Sequence, residues 1–282
     1  MKKKDFKLIS LKKTSGALGA LIENIDIKNN LSSDIMKEIK RAFNEYQVIF
    51  FRDQKFTPKN YFEFSKKIGI PVIYPFAKGL EKYPEITPIL KSVKDKHNFG
   101  GVWHSDTSYL EQPPMATMLY ALDVPDYGGD TKFSNQYLAY NELSDEMKKI
   151  LNRLKAINIS GKSNVVKTRS DLLKHSSVGL KGNELKAIHP VIRTHPETGK
   201  KALYINEAHT LKFVGMKNEE SSSILNYLFK HQIKSEFTCR FKWEKGSLAI
   251  WDNRCTLHYP INDYQGKRRL MHRITFKGEK PI

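Results

Sequence analysis

At 282 residues, with 39% hydrophobic and 11% aromatic side chains, the chain has enough apolar material for a sizeable core, which excludes a disordered chain. No segment approaches the roughly 18 apolar residues of a membrane-crossing helix, and the basic start (Met1 to Lys4) is followed by no apolar leader stretch, so a cytoplasmic protein with no membrane partner is expected. The formal charge of +18 is mostly lysine (38 of 48 basic residues), spread along the chain without a stripe or a nucleic-acid motif; it predicts solvated faces and a field favouring small acidic substrates, with a basic nucleic-acid-binding or nucleic-acid-modifying protein as the alternative.

Taken in chain order, the first predicted helix is capped by Ser32 or Ser33. It carries Ile35, Ile39, Ala42, Phe43 and Tyr46 at helical spacing. Gln47 to Phe51 reads as a short buried strand, and Thr57-Pro58 as an N-cap with proline at the first helical position, leading to Phe62, Ser65 and Ile68. Met115 to Leu122 is a strand candidate, Gly128-Gly129 a turn, and Ser144 a cap for Met147, Ile150, Leu151 and Leu154. Lys186 to Arg193 and Ala202 to Ile205 are strand candidates flanking the turn signal Pro196-Glu197-Thr198-Gly199, as in a hairpin. A helix carrying Ile224, Leu225, Leu228 and His231 follows, then strands at Ser247 to Trp251 and His272 to Lys277. Strands dominate the second half. The expected fold class is mostly β with flanking helices, in one domain spanning 1–282.

Two cysteines, Cys239 and Cys255, are too few for a disulfide scaffold and read as buried thiols. His189 and His195 each precede proline and read as structural.

Chemistry concentrates at two places. In Trp103-His104-Ser105-Asp106, His104 and Asp106 are two apart, so on extended backbone both project to one face. An imidazole and a carboxylate are suitable ligands for iron(II). Near the C-terminus, Trp251-Asp252-Asn253-Arg254 leads to His258, and Arg268-Arg269-Leu270-Met271-His272-Arg273 follows. Two histidines and one carboxylate make the facial triad of non-haem iron oxygenases, which leaves positions open for a 2-oxo acid and oxygen. An arginine suits the far carboxylate of that acid. Arg269 and Arg273 fall on the same side of a strand. Each residue has a structural alternative: core or surface histidines, and arginines in ordinary salt bridges.

These segments, together with Gly128-Gly129-Asp130-Thr131, resemble the taurine dioxygenase family in order and spacing, from about residue 6 to the end. The resemblance implies a double-stranded β-helix, or jelly roll. It implies an iron(II)- and 2-oxoglutarate-dependent dioxygenase that hydroxylates a small anionic substrate while 2-oxoglutarate and O2 yield succinate and CO2. By position, His104, Asp106 and His258 resemble the metal ligands. Thr131 and Arg269 resemble the residues that hold 2-oxoglutarate, and Arg273 the one that grips the substrate anion. Tyr74 and Tyr204 fall near pocket positions. Homo-oligomers are common in the family. The sequence departs from its taurine-using members in two places. Ile70-Pro71-Val72-Ile73-Tyr74 lacks a histidine, and Gly100 stands where those members carry an asparagine. A sulfonate other than taurine, or a carboxylate, is therefore expected. The segments 74–100 and 160–185 are candidate lids.

Overall fold

The computed structural model describes residues 5–29, 31–162 and 185–282, and most of the predicted 160–185 lid lies outside them. From the N-terminus, β1 (Ser10–Lys13) and β2 (Ala20–Glu23) form a hairpin that leads into α1 (Ser33–Tyr46). The Ser32 hydroxyl accepts the Ile35 amide at the start of α1, and Gln47 ends the helix in the left-handed region at φ 62°. The apolar stripe then buries Ile39, Ala42 and Phe43. β3 (Val48–Phe51) follows, buried at every residue. α2 (Pro58–Ile68) is capped by Thr57, which accepts the Asn60 amide.

Short strands β4 (Pro71–Val72) and β5 (Thr87–Lys91) precede β6 (Ala116–Asp123), and β7 (Thr131–Asn135) runs into α3 (Gln136–Asn141). α4 (Asp145–Leu151) starts at Ser144 as its cap, but it stops short of Leu154, which lies before β8 (Lys155–Ile159). The predicted strand Lys186 to Arg193 is two strands, β9 (Lys186–Pro190) and β10 (Ile192–Thr194), because Pro190 interrupts the ladder. β10 pairs with β11 (Lys201–Leu203) across a turn closed by Gly199 at φ 67°. β12 (Thr210–Phe213), α5 (Asn218–His231) and β13 (Thr238–Phe241) lead to β14 (Leu248–Asp252), β15 (Thr256–Pro260) and β16 (Arg269–Phe276).

The main sheet runs β1-β2-β3-β14-β6-β16-β4, with β5 also paired to β16. A second sheet, β13-β7-β15, and a third, β12-β8-β9, complete the β framework with the β10-β11 hairpin. The strand period of two decides which core each residue joins. Ile49, Phe51, Leu248, Ile250, Ile274 and Phe276 turn to α1 and α2. Val48, Phe50, Ala249, Trp251 and Met271 turn the other way, onto Phe133 and Phe241 of the second sheet. Arg269 and Arg273 share the parity of Met271, so β16 delivers both guanidinium groups between the two sheets. A third core under α5 holds Leu225, Leu228, Phe213 and Leu203. No helix among the described residues is long and apolar enough to cross a membrane. The expected mostly-β architecture with flanking helices is what the chain adopts.

Candidate active site

One backbone bridge joins the two halves of the site. His104 and His258 stand directly opposite each other in an isolated antiparallel bridge. They exchange both amide hydrogen bonds, His104 N to His258 O at 3.0 Å and His258 N to His104 O at 2.8 Å. Opposed residues project to the same side, and the two ring centroids are 4.1 Å apart. The chain turns after Ser105, with Thr107 at φ 44°. This brings Asp106 Oδ1 to 3.7 Å from His104 Nε2 and 3.8 Å from His258 Nε2. The ligand atoms of the three residues lie within 4.8 Å of one another, and all three residues are buried.

The surrounding hydrogen bonds suit this donor set to a divalent metal. His104 Nδ1 is 2.7 Å from the Val102 carbonyl. It therefore donates, and the lone pair falls on Nε2, facing the centre. Asp106 Oδ2 accepts the Thr117 hydroxyl at 2.5 Å, leaving Oδ1 toward the imidazoles. Thr117 accepts from Asn253 Nδ2 at 2.9 Å, and Asn253 Oδ1 accepts Trp251 Nε1 at 3.0 Å. Ser105 Oγ donates to the Asn253 carbonyl at 2.8 Å. Such outer partners fix the orientation of metal-ligating side chains.

Arg273 Nη2 lies 2.8 Å from Asp106 Oδ1. Burial pushes the Asp106 carboxyl up, but Arg273, the two imidazoles and the Thr117 hydroxyl outweigh it and hold the group well below the usual carboxylate range. Burial, with the neighbouring His104 and Arg273, holds His258 well below its ordinary value, favouring the neutral imidazole that ligates metals. Arg273 also stacks over Tyr74 at 4.8 Å, within an aromatic cluster of Tyr74, Phe76, Tyr109 and Phe99. The predicted lid 74–100 is thus partly packed structure and includes β5.

A cavity opens beside the triad, with Thr131, Arg269 and Arg273 in its walls together with the apolar Ile89, Phe99 and Leu119. Arg269 is buried and lies 5.6 Å from the Trp243 ring. Thr131 Oγ1 accepts Trp243 Nε1 at 3.0 Å, so one indole links both residues. The Gly128-Gly129 turn needs its glycines: φ is +75° and +70°, and a Cβ at Gly128 would sit 2.6 Å from Asp263 Oδ1.

The structure thus gathers His104, Asp106, His258, Thr131, Arg269 and Arg273 around one cavity, with Tyr74 behind Arg273. Tyr204 is placed elsewhere. Its ring packs against Arg193 at 4.9 Å and His189 at 5.9 Å, and it is absent from the cavity wall. The sequence reading passed over Thr117, Asn253 and Trp243. Asn253 stood within a quoted motif, whereas Thr117 and Trp243 carried no local signal.

The remaining motif residues face away from the centre. Asp252 takes Arg254 through Oδ1 (Nε, 2.8 Å) and Oδ2 (Nη2, 2.7 Å), and His195 Nε2 at 3.0 Å. His195 Nδ1 accepts the Glu197 and Thr198 amides, so its proton is on Nε2. His195, Asp252 and Cys255 form a second metal-like cluster. Asp252 has both oxygens committed to the guanidinium and the imidazole, and this cluster is structural. Burial pushes both cysteine thiols up, Cys239 to about 12, which makes them poor nucleophiles.

The family model described as taurine catabolism dioxygenase TauD, TfdA family matches residues 10–275. The chain is 32% identical to an alkylsulfatase of Acinetobacter baylyi over 279 residues, covering 96% of this chain and 86% of that protein. It is 30% identical to an alpha-ketoglutarate-dependent sulfate ester dioxygenase of Pseudomonas putida, covering 95% of this chain and 89% of the relative. Among solved structures, a taurine dioxygenase from Burkholderia xenovorans superposes with a TM-score of 0.83 at 30% identity, covering 97% of this chain and 91% of the other.

Proposed function

This chain belongs to the TauD, TfdA family of dioxygenases, and from that premise we propose that His104, Asp106 and His258 hold the iron(II) with which it hydroxylates a small organic anion at the expense of 2-oxoglutarate and O2. The observation that carries this residue assignment is the bridge at His104 and His258, which sets two imidazoles and the Asp106 carboxylate within 4.8 Å, with Arg269 in the wall of the same cavity. Bound iron supplies the redox chemistry by which 2-oxoglutarate is decarboxylated and the substrate oxidised.

The protein's own part is position, charge and dryness. Arg269 takes the far carboxylate of 2-oxoglutarate, and Thr131, steadied by Trp243, lies beside it. Arg273 is tied to Asp106 by one nitrogen and stacked on Tyr74, which keeps its plane fixed for an anionic headgroup. The aromatic cluster of Tyr74, Phe76, Phe99 and Tyr109 excludes water over that headgroup. The segment Ile70-Pro71-Val72-Ile73-Tyr74 has no histidine and Gly100 has no side chain to hydrogen-bond an amine. This favours a sulfate ester, a sulfonate without an amine, or a carboxylate over taurine. The relatives named for sulfate esters support the same class. We read the facing sheets as a double-stranded β-helix, the chain as a single domain over 1–282, and the enzyme as cytoplasmic.

Anaerobic titration with iron(II) and 2-oxoglutarate tests the assignment. The metal-to-ligand absorption band is expected to form in the native protein and to be lost in His104→Ala and Asp106→Ala. Arg269→Ala is expected to retain iron but to weaken 2-oxoglutarate by about 2 kcal/mol, roughly thirtyfold. A full band in Asp106→Ala would refute the metal site. Unchanged 2-oxoglutarate affinity in Arg269→Ala would refute the role of Arg269.

A further inference from the structure

Arg269 and Lys91 are direct partners in the β16–β5 ladder. Opposed residues of an antiparallel pair project to the same face, so both cationic side chains enter the same side of the sheet. Both residues are more than nine-tenths buried. Among the described residues, Lys91 Nζ has no hydrogen-bond partner, nor do Nε and Nη2 of Arg269, and neither side chain is in a salt bridge. A second cavity adjoins the cosubstrate cavity, sharing Arg269, Ile89, Phe99 and Pro260, and Lys91 lines it with Asp95, Asn98 and Tyr264.

Two cations placed side by side out of water repel each other, and each loses hydration. Burial, with the neighbouring Arg269, lowers the Lys91 amine below its ordinary value despite Asp95. The Asp95 carboxylate is turned to the Ser92 amide at 2.6 Å. The Lys91 ammonium sits over the face of the Tyr264 ring, Nζ 4.0 Å from its centroid. The Tyr264 hydroxyl in turn donates to Asn98 at 2.6 Å. A lysine kept in place this way, next to an arginine and with no direct ion pair among the described residues, is poised for an incoming anion.

We propose that Lys91 and Arg269 together form a two-cation carboxylate site, with Lys91 as a positioning residue that nothing in the family motifs supplies. The proposal rests on the reading of Arg269 given above. Its carboxylate has two sources, the far end of 2-oxoglutarate or a free carboxylate such as succinate held in the adjoining cavity.

The test is calorimetry under anaerobic conditions with iron(II) loaded, on the native protein, Lys91→Met and Lys91→Arg. If 2-oxoglutarate is the source, Lys91→Met binds it roughly tenfold more weakly, Lys91→Arg restores the affinity, and 2-oxobutyrate, which has no far carboxylate, binds all three alike. If a free carboxylate is the source, succinate binds the native protein already saturated with 2-oxoglutarate, and Lys91→Met abolishes this while its 2-oxoglutarate affinity is unchanged. Either result supports the site. Lys91→Met that binds both ligands as the native protein does overturns it and leaves Lys91 as packing for Tyr264. Acylation of the native protein, mapped by mass spectrometry, needs no variant. Protection of Lys91 by 2-oxoglutarate or succinate is expected, and equal labelling with and without them overturns the proposal. Arg269→Ala with unchanged 2-oxoglutarate affinity would instead remove the underlying reading of Arg269.

Discussion

Thr117 has one proton to give, and it goes to Asp106 Oδ2, while the hydroxyl oxygen accepts from Asn253. That division of labour decides which carboxylate oxygen faces the imidazoles. In Thr117→Val the shape is kept and both hydrogen bonds are lost, so Asp106 can rotate. Metal affinity is expected to fall about 10- to 100-fold, read by titration with iron(II) or manganese(II). A metal affinity within twofold of native would show that Arg273 alone orients the carboxylate. Sequence spacing could pair His104 with Asp106, because neighbours two apart share a face. It could not find Thr117 or Trp243, whose roles arise only when β6 and the segment after β13 fold beside the motifs.

Between β14 and β15 the chain makes a buried turn in which residues of one motif divide their work. Trp251 and Asn253 support the triad, while Asp252 and Arg254 lock the turn against His195 and Glu197. Asp252 and Arg254 are both nearly fully buried. Removing one partner leaves a charge without compensation, so Arg254→Met is expected to destabilise the fold by about 3–5 kcal/mol. Urea unfolding measures it, and a loss under 1 kcal/mol would mean that the pair is replaceable by apolar packing. The elements legible in the sequence were those with a cap and a stripe, such as α1 with its Ser32 cap. α3 is only six residues and its Asn135 cap follows a strand directly. β1 is mostly exposed and polar, with no alternation to find.

The pH response belongs to the whole molecule, because its titrating groups sit in different layers. Burial lowers the pKa of His189 and His272 below 6.5. The unfolded chain therefore takes up these protons first as pH falls, and stability drops from about pH 6.5 downward. Asp252, whose carboxyl is held below its ordinary 3.8 chiefly by Arg254 against the opposing effect of burial, stabilises the fold above that pH and loses its contribution below it. Thermal midpoints of the metal-free protein are expected to be flat between about pH 7 and 8 and to fall in two stages below. His189→Gln should shrink the first stage alone. A midpoint rising between pH 7 and 5 would contradict the assignment.

Local patterns marked the class of elements and the candidate pair His104 and Asp106, because helical stripes, caps and a two-residue spacing are properties of adjacent residues. The order of the motifs was enough to mark the family. Tertiary structure decided what depends on residues far apart in the chain: the His104–His258 bridge that closes the triad, the exclusion of Tyr204 from the cavity, and the placing of Lys91 opposite Arg269. These depend on strand register, and register is set by which faces the sheets bury against one another.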